Sequence, residues 1–317
     1  MRLKARASGQ FAKEKHLWYD GGTMKKRILS FFAAAMLAAA LLSGCAQKQE
    51  VSPTSAPMPT PDPHEGMVEV SDGAGGTMWV DEIENLAVFP LDQSLFSVEN
   101  GRADYAGADC ALRLGVDVSD HQSEIDWQAV ADSGVEFAII RCGWRGYSAG
   151  GLNEDADFRR NIEGAQAAGL DVGVYFFSQA VSIAEAAEEA LYTLELLEGY
   201  DLQLPVFFDW EKIGTDAART DEVPGETVTA ACLEYCRLIE SEGYDAGVYM
   251  YLNLAYFTYD LEQFAGITIW MGDPGYAPEF YYDHDYWQYS FTGAVPGIEG
   301  EVDMDAIYQR TEPEARG

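Results

Sequence analysis

The chain is short of positive charge. Among 317 residues only 20 are Lys or Arg, against 53 Asp and Glu, for a formal net charge of −33. Residues 1–44 hold 8 of the basic side chains and 2 of the acidic ones, which leaves 12 basic against 51 acidic in the remainder, a net −39. Such a field disfavours nucleic-acid phosphates as partners. It also repels anionic polymers within a screening length of about 10 Å, so contact with one would rest on local stacking. Histidine is scarce too. Beyond the N-terminal region only His64, His121 and His284 remain, none paired at ligand spacing, so neither a metal nor any other cofactor is expected. Cys232 and Cys236 share a helix face and read as buried thiols, while Cys110 and Cys142 leave a bridge open. No G-x-G-x-x-G follows a strand and no P-loop is present, so nucleotide folds lose support.

The apolar run Ile28–Leu42 falls short of the roughly 20 residues that span a bilayer. It follows the basic Met24-Lys25-Lys26-Arg27 and leads into Leu42-Ser43-Gly44-Cys45. A basic start, a short apolar stretch and small residues before a cut describe a secretory signal over residues 24–44. Leu-Ser-Gly-Cys resembles the bacterial lipobox. The resemblance implies cleavage before Cys45, lipidation of its thiol, and an exported protein anchored to the outer face of a membrane. Residues 1–23 are polar and precede this better start, so Met24 is read as the natural first residue, with Gly21-Gly22 a ribosome-binding sequence translated in frame.

What is present is a foldable core. At 48 % hydrophobic residues, the chain can hold one large α/β domain plus extras. Residues 45–66 are rich in Pro, Ser and Thr and read as an extended tether. Residues 67–110 carry short strand-like pieces at Met67–Val70, Thr77–Val80 and Leu86–Phe89, a small β-rich extension. From Leu112 the pattern turns regular. Apolar strands at 112–118, 137–140, 172–177, 206–211, 246–250, 268–271, 286–289 and near Val302 alternate with helices that dwindle toward the end. Asp126 caps one helix and Ser182-Ile183-Ala184-Glu185 opens another as a capping box. Near-continuous apolar strands alternating with helices predict a parallel sheet, and about eight strands in about 200 residues favour closure into a TIM-like β/α barrel. The domain is expected over 111–311, with a tail at 312–317.

In such a barrel, functional side chains sit at the C-terminal strand ends. Val206-Phe207-Phe208-Asp209-Trp210-Glu211 ends in two acids two residues apart, which share a side of the strand. Two acids held together and partly desolvated raise the pKa of at least one, as a general acid near neutral pH requires. An isolated Asp-x-Glu is more often a solvated loop, but the other strand ends repeat the theme. They supply Asp117, Arg141, Tyr175, Phe177, Tyr249, Trp270, Trp287, Tyr289 and Asp303. Carboxylates do acid/base or nucleophile work, and flat rings stack on sugar faces.

These motifs together resemble glycoside hydrolase family 25, the Chalaropsis-type lysozymes. The likeness runs from about Leu114 to Tyr308 through GVDVSDHQ, FAIIRCGWRGY, LNEDADFRRNIEGAQAAGLDVGVYFFSQA, PVFFDWE and WQYSFTGAVPGIEGEVDMDAIY. It implies a flattened barrel of eight strands and fewer than eight helices. It also implies hydrolysis of the β-1,4 bond between N-acetylmuramic acid and N-acetylglucosamine in peptidoglycan, by a monomer. Carried over by residue, Glu211 matches the general acid, Asp209 its companion, which would position the substrate acetamido group or tune Glu211, Asp117 the first-strand acid and Asp303 a nucleophile candidate. Asp305 stands two residues on and could take that last place. After Trp270 the chain reads Met271-Gly272-Asp273, where the family pattern has Ala and Tyr or a similar pair. Carboxyl separations of about 5–5.5 Å mark retention and about 6.5–9.5 Å inversion, and an i, i+2 strand spacing covers both. The family implies net retention, with the substrate N-acetyl group as a candidate participant.

Two other readings compete. A catalytically idle wall-binding lipoprotein gains little from two mutually repelling acids. A polysaccharide deacetylase needs an Asp with paired histidines, which this chain lacks.

Overall fold

The computed structural model describes residues 62–215 and 218–311. The expectations for the early start, the signal, Cys45 and nearly all of the tether, and for the tail, lie outside the described residues.

Four short strands come first. β1 (Met67–Ser71) pairs antiparallel with β2 (Thr77–Asp81), and β3 (Phe96–Glu99) with β4 (Arg102–Tyr105). The predicted strand at 86–89 is a single bridge instead, Val88 to Tyr282. Then follow β5 (Cys110–Val118), α1 (Trp127–Asp132), β6 (Phe137–Arg145), β7 (Leu152–Glu154), α2 (Phe158–Ala167), β8 (Asp171–Ser178) and α3 (Ile183–Leu196). β9 (Val206–Trp210), α4 (Gly225–Ser241), β10 (Ala246–Tyr251), α5 (Leu252–Phe257), β11 (Thr268–Gly272), β12 (Tyr286–Gly293) and β13 (Val302–Arg310) complete the order.

Strands β5, β6, β8, β9, β10, β11 and β12 lie side by side and parallel, and β13 closes the ring antiparallel to both β12 and β5. The result is a closed eight-stranded barrel with few helices. The expected all-parallel sheet fails at its last strand for a simple reason. Residues 294–301, between β12 and β13, are too few for the crossover of a dozen or more residues that a parallel return needs. Local signals hold elsewhere. The Asp126 side chain accepts from Ala129 N at 3.1 Å, and Gly134 closes α1 at φ 89°. Ser182 Oγ accepts from Glu185 N at 3.3 Å, but the Glu185 carboxylate reaches back to Val181 N, one residue beyond the expected box.

Alternation along each strand divides the core. Inward residues Phe137, Ile139, Tyr175, Phe207, Tyr249, Trp270 and Tyr286 fill the barrel. Outward residues such as Val206, Phe208 and Trp210 pack under the helices, with Phe208 against Tyr235 of α4 at 5.2 Å between ring centroids. A methyl at Gly115 would overlap the Phe137 ring, so glycine there is a packing requirement.

The helices stop before the outer face of β12 and β13 is covered, and residues 86–105 take their place. Phe89 N donates to Tyr281 O at 2.9 Å, Asp283 N to Ala87 O at 2.8 Å, and Gln93 Nε2 to Pro278 O at 2.7 Å. Phe96 then meets Trp287 edge-on at 5.6 Å and Tyr308 at 6.1 Å, and Phe89 stacks on His284 at 4.6 Å. This segment is thus part of the main core. All four cysteines among the described residues, Cys110, Cys142, Cys232 and Cys236, are free and buried.

Two outcomes are expected. Phe96→Ala removes a ring from a fully assembled aromatic layer and should cost about 3 kcal/mol in urea unfolding; a loss within about 0.5 kcal/mol would mean that the layer is dispensable. Burial lowers the His284 imidazole to about 4. Between that value and its ordinary pKa near 6.5 the unfolded chain binds a proton that the folded chain refuses. The stability His284 contributes is therefore complete above about pH 6.5 and declines by about 3 kcal/mol as pH falls toward 4. Urea midpoints of wild type and His284→Gln should converge over that range. A constant gap from pH 7 to 4 would refute the assignment.

Candidate active site

β9 brings the first two acids to the barrel mouth. Asp209 is on the inward parity of Phe207 and is buried, with 5 % exposure, and Glu211 lies half-buried just past the strand end. Two buried side chains pin that end. Trp210 Nε1 donates outward to Ala180 O at 3.0 Å. Gln179 Nε2 donates to the Glu211 carbonyl at 2.8 Å and to Ser178 O at 2.8 Å, and its Oε1 accepts from Thr220 Oγ1 at 3.1 Å. The backbone beneath Glu211 is thereby fixed from both neighbouring segments.

Across the mouth, antiparallel pairing puts Asp303 of β13 directly opposite Asp117 of β5. Opposite residues in such a pair point to the same face, only about 5 Å apart. One inward layer deeper, Asp305 is opposite both Gly115 and Gln288. Tyr249 stands beside Asp209 on one side and Trp270 on the other.

A hydrogen-bonded chain joins these groups. Tyr249 Oη donates to Gln288 Oε1 at 2.8 Å, and Gln288 Nε2 donates to Asp117 Oδ2 at 2.6 Å. Trp270 Nε1 donates to Asp305 Oδ1 at 2.8 Å. Burial pushes the Tyr249 hydroxyl well up, and Glu211, Asp209, Asp117 and Asp303 push it further, so it stays a neutral donor. That one phenol thus lies within electrostatic reach of all four carboxylates. Burial, with Glu211 and Asp209, likewise raises Tyr251. Asp305 is held well above the carboxylate range by burial and then by Asp117, with the Trp270 N–H working the other way.

Residues 116–298 match the sequence profile of Glycosyl hydrolases family 25, more than half of the chain. The chain belongs to that family. Among relatives, the autolytic lysozyme of Clostridium acetobutylicum is 25 % identical over 193 residues, covering 60 % of this chain and 54 % of that protein. The modular autolysin LytC from Streptococcus pneumoniae superposes with a TM-score of 0.55 at 23 % identity, covering 77 % of this chain and 58 % of that one. LytC has also been solved with a synthetic peptidoglycan ligand. The bacterial lysozyme from Streptomyces coelicolor has a TM-score of 0.51 at 22 % identity, over 64 % of this chain and 94 % of that one. The chain spans little more than half the length of the first two relatives.

Within this family 25 barrel, Asp117, Asp209, Glu211, Asp303, Tyr249 and Trp270 come together at the mouth. Tyr175 lines the interior, its ring 5.9 Å from Trp270, and Phe177 is half-buried at the rim. Arg141 is committed elsewhere. Its Nε meets Asp155 at 2.7 Å and its Nη2 meets Asp120 at 2.5 Å, an ion-pair clamp between β6 and its neighbouring loops. Trp287 and Tyr289 require correction, because they point outward. Trp287 is 0 % exposed, with Nε1 donating to Asp273 O at 2.7 Å, and the Tyr289 hydroxyl donates to Gly101 O at 3.1 Å. The inward residue is Gln288 between them. Its signal was the alternation itself: in Trp-Gln-Tyr only one parity can face the mouth, and the aromatic pair proved to be the outer layer.

The family departure at Gly272 has a local reason. A side-chain carbon there would overlap the Tyr249 hydroxyl. Among the described residues, no group of three or more His, Cys, Asp or Glu is arranged to hold a metal ion. His284 is held on the outer face between Tyr282 O at 3.1 Å and the Tyr308 hydroxyl at 3.0 Å. Gln288→Leu strands two buried polar partners and should lower stability by about 2 kcal/mol. Urea unfolding checks this, and an unchanged midpoint would contradict the bridge.

Proposed function

We propose that this protein is a peptidoglycan hydrolase, a lysozyme that cleaves the β-1,4 bond between N-acetylmuramic acid and N-acetylglucosamine. The observation that carries the reading is the set of acids at the mouth of a family 25 barrel: Asp303 opposite Asp117, and Asp209, two residues before Glu211, beside the Tyr249 whose hydroxyl is linked through Gln288 to Asp117. Its likeness to an autolytic lysozyme supports the substrate class.

In this account Glu211, half-buried and pinned through its own carbonyl, gives its proton to the glycosidic oxygen. Asp209 orients the substrate acetamido group. Asp117 and Asp303, side by side across the seam, bear the negative charge that an oxocarbenium-like transition state attracts. The acetamido carbonyl oxygen, or a carboxylate oxygen of Asp303, attacks the anomeric carbon as its bond to the protonated glycosidic oxygen breaks; water, deprotonated by Glu211, then displaces that group, giving net retention. Phe177, half-buried at the rim, offers an apolar face for a sugar ring, with Tyr175 and Trp270 packed beneath it. Arg141 acts by holding the rim in shape. The barrel is read as the flattened TIM-like form, with residues 67–110 as its N-terminal extension. A lipid anchor on Cys45 would keep a monomer on the outer face of the cell membrane, within reach of glycan strands.

Purified wild type should release muropeptides with reducing muramic acid ends from peptidoglycan, identified by mass spectrometry. Glu211→Gln should lose at least about a hundredfold in rate, the scale of general acid catalysis. Mutant activity within a few-fold of wild type would remove Glu211 from that role. Released acetate without new reducing ends would instead mark a deacetylase, and neither product would mark a binding protein.

A further inference from the structure

We propose that Asp305 is a positioning residue of this site: a buried, neutral carboxylic acid that donates a hydrogen bond to Asp117 and keeps Asp117 ionised. The inference rests on the hydrolase reading above. It assigns a proton that the reading leaves unplaced.

Asp305 is 0 % exposed and lies on the inward face of β13, one layer below Asp303. Its Oδ1 accepts from Trp270 Nε1 at 2.8 Å. Its Oδ2 is fully buried and receives no N–H or hydroxyl donor. Opposite it on β5 is Gly115, which has no side chain to offer, and on β12 is Gln288, whose amide is turned to Asp117. The group within hydrogen-bonding reach of Asp305 is the Asp117 carboxyl itself. Two carboxylates in contact inside a barrel do not both ionise, and the shared proton goes to the one less well stabilised as an anion.

The surroundings decide which one. Asp117 already accepts a 2.6 Å hydrogen bond from Gln288 and is 4 % exposed at the mouth. Asp305 is sealed below it, with one indole donor. The groups that act on Asp305 are Asp117 from β5, Asp303 from its own strand and Trp270 from β11, with neutral Gln288 opposite on β12. Burial and the two aspartates hold its proton on, and only the Trp270 N–H favours the anion. A neutral Asp305 satisfies every atom: one oxygen accepts from Trp270, and the other donates to Asp117. Asp117 then receives one donor from Gln288 and one from Asp305, which fixes its orientation and its charge.

The test compares Asp305→Asn and Asp305→Leu with wild type in the full chain. Asparagine copies the neutral acid, with its oxygen for Trp270 and its amide for Asp117. Its kcat/KM on peptidoglycan should stay within about threefold of wild type, the scale on which neutral hydrogen bonds differ. The acid limb of its pH profile should not move. Leucine has no donor, so Asp117 binds its own proton more tightly. The acid limb should shift to higher pH, with kcat/KM down about tenfold or more, the worth of a hydrogen bond to a charged group. An Asn variant as inactive as Glu211→Gln would show that Asp305 works ionised and overturn the proposal. A Leu variant that matches Asn in rate and pH profile would also overturn it. Infrared spectroscopy reads the proton directly. The wild-type minus Asp305→Asn difference spectrum at neutral pH should contain the carbonyl stretch of one protonated carboxyl, since bands from other protonated acids cancel, and a difference spectrum without that band would refute the assignment. That readout needs neither turnover nor the Leu variant, so it separates failure of this inference from failure of the hydrolase reading.

Discussion

The antiparallel seam between β13 and β5 is the constraint on which the rest depends. A parallel closing strand would bring its C-terminal end to the mouth and set Asp303 at the far end of the barrel. Running the other way, β13 starts at the mouth, and its first residues fall opposite the last residues of β5. Asp303 therefore meets Asp117. The same register drops Asp305 one layer down, into a place where a charge has no water. It also turns Met304, Ala306 and Tyr308 outward, where a short connection leaves no helix to cover them. Residues 86–105 supply that cover with Phe89, Phe96 and Tyr105. One strand direction thus determines the acid pair, the buried proton and the aromatic outer layer.

The mouth concentrates negative charge in a chain that has little positive charge to offset it. Few of the scarce arginines approach it. Arg141 is taken by Asp120 and Asp155, and Arg145 is buried against Glu189 at 2.6 Å outside the barrel. Repulsion among the acids is instead managed with neutral donors: Tyr249, Gln288 and Trp270 each place one hydrogen on a defined oxygen. Neutral donors orient carboxylates without cancelling their field. Burial keeps Tyr249 protonated for that purpose.

Much of this was legible in the sequence. Strand spacing gave the barrel, and the repeated acids at strand ends gave Asp117, Asp209, Glu211 and Asp303. Period two correctly set Asp209 and Trp210 on opposite sides. The same rule, applied to Trp287-Gln288-Tyr289, could not say which parity was inside, and aromatic content pointed the wrong way. The direction of β13 depends on the length of a loop more than on any strand pattern. The partners of Arg141, Asp120 and Asp155, are brought to it by neighbouring loops, which no strand pattern reveals. Burial of Asp305 is likewise a tertiary fact, since Glu-Val-Asp-Met-Asp looks solvated when read alone. Residues 86–105 showed only weak strand signals because they serve as a cover, held mainly by rings and isolated hydrogen bonds.

We propose that glycan is cleaved where these four acids meet. A crystal structure of Glu211→Gln with a bound muramic acid–glucosamine oligomer tests it most directly. Such a crystal should show a glycosidic oxygen within hydrogen-bond distance of the side-chain amide introduced at position 211, an acetamido group on Asp209, and the reacting sugar between Asp117 and Asp303. An oligomer bound with its glycosidic oxygens away from that mouth would contradict it.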